Sequence, residues 1–326
     1  MERLLTGGNY YYPPIEGNEW ETALPADLGW DSTALEQTVS YVRDHNSTAF
    51  LILQRGKMVV EEYWQGWGIG TAMPIFSAAK SVTSVLMGIA QEQGRLSIAD
   101  TMSKHLGKGW AGAPLENEAV IAIKHVLKMT SGLNDAFEFE ADAGTKWYYN
   151  TPVYWKLFQV LKAATGKDMD DFSREVLWSR TGMRWCAWNG RTMACSARDA
   201  ARFGLMILGN GTWAGKGIIA DKSYLRASTN RAQELNQSYG YLWWLNGEDS
   251  FRLPGSVDER FEGPLIPSAP ADMFAALGAA DKKIYIVPSL DLVVMRHGGT
   301  AGEARAASSS FDRQLWHMLM PAVKPQ

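Results

Sequence analysis

The sequence predicts an α+β fold: an antiparallel sheet built from both ends of the chain and flanked by helices, plus a mostly helical lobe. Three observations predict it. Residues 48–64, TAFLILQRGKMVVEEYW, read as two strands around a turn at Arg55-Gly56-Lys57. Strand patterns return only late, at 239–246, 273–278, 282–288 and 291–296. The stretch from about 95 to 235 is mostly helical and loop-rich, with no internal repeat and no low-complexity linker. The chain is therefore expected to be a single unit over 1–326, with an α/β lobe at about 1–75 and 236–326 and a helical lobe at about 76–235.

The elements follow in order. Residues 1–30 are rich in Pro, Gly and aromatics and are expected to wrap over the surface. Residues 30–45 open with Asp31 and Ser32, which are cap residues, and continue with helical spacing. After the first hairpin comes FSAAKSVTSVLMGIAQEQG, residues 76–94. Val82, Val85, Leu86 and Ile89 share one helix face, and Gly94 supplies the stop. Residues 121–133 predict a helix ending in a Thr-Ser-Gly turn. Residues 251–270 carry many prolines and little periodicity, as a long loop over a site would. A final helix is expected over 310–320.

Composition narrows the function. Hydrophobic residues make up 46% of the 326 and charged residues 21%, as in ordinary globular proteins. A net charge of −3 with scattered Lys and Arg offers no footprint for nucleic acid. No run of about 18 apolar residues predicts a membrane span. The opening MERLLTGGNYYYPP lacks the apolar core of a secretory signal, so a cytoplasmic protein is expected. Cys186 and Cys195 leave one disulfide open but make no framework, and no zinc or nucleotide-phosphate motif occurs. Neither metal nor organic cofactor is implied. No nucleic-acid or membrane partner is expected, and the chain is expected to be a monomer or a homodimer.

Ser77 and Lys80 lie on the same side of the first turn of the 76–94 helix. Ser-x-x-Lys alone says little, because roughly one match is expected by chance in a chain this long. Its position says more. A serine at a helix start has a backbone N–H free for a developing oxyanion, and the helix dipole favours negative charge there. A serine hydroxyl needs a base. Lys80 can serve if burial lowers its pKa by roughly 3 units. Alternatively it stays charged and lowers the pKa of a tyrosine that takes the proton. Both routes ask for a nearby phenol, and the Tyr148-Tyr149-Asn150 stretch offers a Tyr-x-Asn pattern.

This layout resembles the penicillin-recognising serine hydrolases, most closely the class C β-lactamase-like branch with its family VIII-type carboxylesterases and 6-aminohexanoate-dimer hydrolases. The resemblance runs over roughly 25–320, through VLKMTSGL, WYYNTPVYWKLFQVLKAATG, ARFGLMILGNGTW, YGYLWWLN and IYIVPSLDLVV. It implies a β-lactamase/transpeptidase-like fold. Ser77 would be the acylated nucleophile, Lys80 and Tyr148 its proton relay, and Asn150 a ligand of substrate and Lys80. The family's third motif, Lys-Thr-Gly or His-x-Gly, falls at Ala276-Leu277-Gly278, with the Ala279 N–H as second oxyanion donor. His297-Gly298-Gly299 competes for that place, and His297 is a candidate pocket residue. Trp188 is a further candidate, within a possible aromatic wall of Trp147, Tyr149, Tyr239, Trp243 and Trp244. Ala276 and Leu277 offer no positive charge, so recognition of an anionic substrate end should suffer. An esterase or amidase is favoured over a β-lactamase, a DD-peptidase or a non-catalytic penicillin-binding sensor.

Overall fold

Asp31 starts the first long helix as expected: its carboxylate accepts the Thr33 and Ala34 amides at 2.9 and 3.1 Å. Helix α1 (Ser32–Asp44) turns Leu35, Thr38 and Val42 inward. The hairpin that follows is β1 (Ser47–Gln54) and β2 (Lys57–Tyr63), closed by Arg55 and Gly56 at positive φ. The computed structural model describes residues 3, 5, 7–255, 258–303 and 307–323.

The remaining elements that frame the site are strand β3 (Ala72–Pro74), a 3₁₀ turn (Phe76–Ala78), helix α2 (Ala79–Glu92) and helix α3 (Lys156–Thr165). They continue through strands β4 (Ala187–Asn189) and β5 (Thr192–Ser196), helix α4 (Ala197–Leu208) and strand β6 (Trp244–Leu245). Strands β7 (Phe274–Gly278), β8 (Lys282–Val287) and β9 (Leu292–Gly298) precede helix α5 (Ser310–Ala322).

The main sheet has the order β2-β1-β9-β8-β7-β6 and is antiparallel throughout. The two ends of the chain meet in its centre, where Ser47 pairs with Gly298 and Gln54 with Leu292. Every residue of β1, β7, β8 and β9 is buried, because helices cover both faces. Alternation along β8 separates those faces. Lys283 and Tyr285 point to α5: Lys283 Nζ lies 2.8 Å from Asp312 Oδ2, and the Tyr285 ring meets Trp316 edge-on. Ile284 points to α4, where a Cβ on Gly204 would stand 2.6 Å from Val293 Cγ1. Glycine there lets helix and sheet approach.

Helix α4 lies in the stretch expected for the helical lobe, yet it packs on β1, β8 and β9. All twelve of its residues are buried, so its sequence pattern does not say which partner covers it. The strand expected at 239–246 shortens to Trp244–Leu245 because the chain turns before it, with Leu242 at φ 63°. Residues 251–270 are largely irregular, as expected, with one short pairing of Phe261 against Phe251. Among the described residues no helix is long and apolar enough to cross a membrane. Cys186 and Cys195 are free, buried thiols.

Candidate active site

Strand β3 pairs with β5, and the Ile75 amide donates to the Met193 carbonyl at 2.9 Å. The chain then reverses at Phe76, a non-glycine residue in the left-handed region at φ 49°. Ser77 follows within the 3₁₀ turn, two residues before the start of α2. The end of β7 lies directly against this turn: a Cβ on Gly278 would sit 2.2 Å from the Ile75 carbonyl oxygen and 3.1 Å from Ala78 N. Only a residue without a side chain lets the sheet come so near.

Helix α2 carries Lys80 into the interior between β7 and α3, and every residue from Ala79 to Ala90 is buried. Lys80 is 3% exposed, and its Nζ lies 3.0 Å from Ser77 Oγ. The other neighbours of that amine are ring faces: Tyr149 at 4.8 Å and Tyr154 at 4.6 Å to the centroids. Ring faces favour the ammonium, but desolvation outweighs them and lowers the pKa of Lys80 to about 7.

The phenol beside Ser77 belongs to Tyr149. Burial pushes it well above the ordinary tyrosine range, and a hydrogen bond from the Ser77 side chain pulls the other way. The expectation for Tyr148 is corrected here. Burial raises its pKa, and so does the hydrogen bond of its hydroxyl with Asp135. The two tyrosines lie outside any helix or strand, and their hydroxyls meet different partners. A usable signal was present in the sequence. Asn150 caps a short helix, Thr151–Tyr154, by accepting the Val153 amide at 2.9 Å. Tyr149 is then the residue before the cap and Tyr154 the fourth helical position, the pair that closes a hydrophobic staple. These two rings enclose the Lys80 amine.

Asn150 also departs from expectation. Its amide nitrogen donates to the Leu133 and Asn134 carbonyls at 2.8 and 3.0 Å, and its oxygen is the cap. The side chain is committed to holding the loop and shares no hydrogen bond with Lys80. Trp188 is likewise displaced. Its indole donates to Ser173 Oγ at 3.0 Å, and it lines a separate recess with Phe158 and Met169. His297 lies inside the sheet opposite Ala49 and does not line the Ser77 cleft. Burial, with the charges of Lys282 and Arg296, pushes its pKa well below the usual value, so it is neutral.

Ala279 does line the cleft, beside Gly278. The cleft holds about 210 Å³ and is lined by Phe76, Ser77, Ala79, Lys80, Thr151, Tyr154, Trp155, Arg191, Thr192 and Ala279. Sequence reasoning missed Phe76, Thr151, Tyr154, Trp155, Arg191 and Thr192, because loops far apart in the chain bring them together. Of the aromatic wall, Trp147, Tyr239 and Trp244 pack around Tyr149, with Trp244 stacked at 6.0 Å. They support that ring from behind. Trp243 stacks on Phe203 in the core. Among the described residues no group of His, Cys, Asp or Glu could hold a metal ion.

The β-lactamase family model matches residues 35–296. A search of curated proteins finds no significant match. Solved structures are similar in fold. One, provisionally described as a β-lactamase from Bacteroides dorei, superposes with a TM-score of 0.71 at 16% identity, covering 90% of this chain and 99% of that one. A second, provisionally described as a 6-aminohexanoate-dimer hydrolase from Bacillus anthracis, gives 0.68 at 18% identity, covering 95% and 88%. A penicillin-binding protein homologue from Caulobacter crescentus gives 0.68 at 14% identity, covering 94% and 100%. With the family model spanning most of its length, the chain belongs to the β-lactamase family, within the penicillin-recognising serine hydrolases.

Proposed function

We propose that the protein cleaves an ester or amide through an acyl-enzyme on Ser77, with Lys80 and Tyr149 moving the proton. One observation carries this reading: a buried lysine with a pKa near 7 stands 3.0 Å from the serine hydroxyl. Neutral Lys80 accepts the proton as Ser77 Oγ attacks the carbonyl carbon. The tetrahedral oxyanion then takes hydrogen bonds from the Ser77 and Ala279 backbone N–H groups. The leaving oxygen or nitrogen departs with a proton passed on from Lys80. Tyr149 suits that transfer because its raised pKa keeps the phenol protonated and able to donate. Water attacks the acyl carbon next, returns its proton through the same pair, and releases Ser77.

The test is pre-steady-state hydrolysis of a p-nitrophenyl ester. A burst of one nitrophenolate per active site is expected, and Ser77→Ala should remove it and lower turnover by about 1,000-fold or more. If Ser77→Ala turns over the ester as fast as the parent, the reading is wrong.

A further inference from the structure

Charge in the Ser77 cleft is one-sided. Lys80 and Arg191 line it, and among the described residues no aspartate or glutamate does. Arg191 stands at the tip of the β4–β5 hairpin, after Gly190 at φ 61°. Its guanidinium carbon lies 4.5 Å from the centroid of the Trp155 ring, another lining residue. Arg184 and Arg198, elsewhere in the same part of the sequence, spend their N–H groups on acceptors around Asn18 and Glu61. Arg191 has no carboxylate within ion-pair distance among the described residues.

A guanidinium 4.5 Å from a ring centroid gains cation–π attraction without spending its N–H donors. The indole therefore holds the group at the cleft and leaves its hydrogen bonds unused. A guanidinium with free donors lining a cleft matches a carboxylate, which it can bind with two parallel N–H bonds. The nearest cation from the sheet is not available. Lys282, paired opposite Gly278, directs its ammonium to the Gly298 carbonyl and the Phe76 ring and does not line the cleft.

We propose that Arg191 is the anion-recognition residue of this cleft, so that the preferred substrate is an ester or amide carrying a carboxylate besides the bond cleaved. The proposal rests on the hydrolase reading and revises the expectation of an uncharged substrate. The positive charge missing at Ala276 and Leu277 is supplied by a hairpin, and Trp155 positions it.

The experiment compares matched esters: mono-p-nitrophenyl adipate with p-nitrophenyl hexanoate for charge on the acyl side, and 4-acetoxybenzoate with its methyl ester for charge on the leaving group. In at least one pair the parent should favour the anion in kcat/KM. Arg191→Gln should reduce that charged-to-neutral ratio by about 10-fold or more, the range of a charge-assisted hydrogen bond. A ratio unchanged by Arg191→Gln in both pairs overturns the proposal, whether or not overall activity falls. Equilibrium binding of the same esters to Ser77→Ala protein, with and without Arg191→Gln, reads the contact without turnover. Loss of anion preference there supports it, and equal binding of charged and neutral esters overturns it. A Ser77→Ala protein that still hydrolyses ester would sink the acyl-enzyme reading while leaving the Arg191 ratio to be read.

Discussion

Tyr148 and Tyr149 share a side-chain chemistry and differ in which partners they meet. One meets Asp135, the other Ser77 and Lys80. Tyr149→Phe should lower kcat by about 100-fold or more, the usual contribution of a positioned proton donor. Tyr148→Phe should change it by less than about 3-fold. The reverse order, measured on one ester at one pH, would return the role to Tyr148. Lys80 sets the pH response. Its folded pKa of about 7 is below the unfolded value of 10.5, so the unfolded chain binds the extra proton between them. Stability should therefore rise with pH from about 7 to about 10 through this group, and the penalty is complete below 7. The neutral amine is also the active form, so kcat/KM on an uncharged ester should climb through an apparent pKa near 7 and then level. A profile flat down to pH 5.5 would exclude Lys80 as the base.

At the scale of elements, the site depends on how closely a strand end can approach a turn. Residues 76–94 read as one helix, but the structure begins that helix at Ala79 and sets Phe76–Ala78 as a 3₁₀ turn. Periodicity cannot reveal this, because the cause is tertiary: β5 holds the Ile75 amide and β7 presses on its carbonyl. Gly278→Ala would bring a methyl group into that carbonyl. It should cost about 1–3 kcal/mol, as overpacking commonly does, and reduce kcat by more than about 10-fold by parting Ala279 from Ser77. Denaturant midpoints and kcat would check it; full activity would show that the close approach is dispensable.

For the whole molecule, a sheet built from both ends of the chain was legible because apolar runs at 48–64 and 273–296 have a single sensible partner, each other. The nearness of Ser77 and Lys80 was legible because one helical turn sets it. Which phenol joins them was not, since Tyr-Tyr-Asn fits two registers and only the cap at Asn150 separates them. Trp188 and His297 were named on residue type and motif letters, which carry no direction; both turn away from the cleft. Arg191 had no local pattern at all. Its place depends on a hairpin tip meeting Trp155, some three dozen residues earlier in the chain.

The central pairing of β1 with β9 also bears on how the protein comes into being. Ser47 Oγ accepts from Arg296 across 249 residues of sequence. On a translating ribosome, the first hairpin and the serine-bearing helix would therefore emerge long before their neighbouring strands exist. Nascent chains stalled before residue 292 would expose an unpaired, mostly apolar edge, a natural client for chaperones.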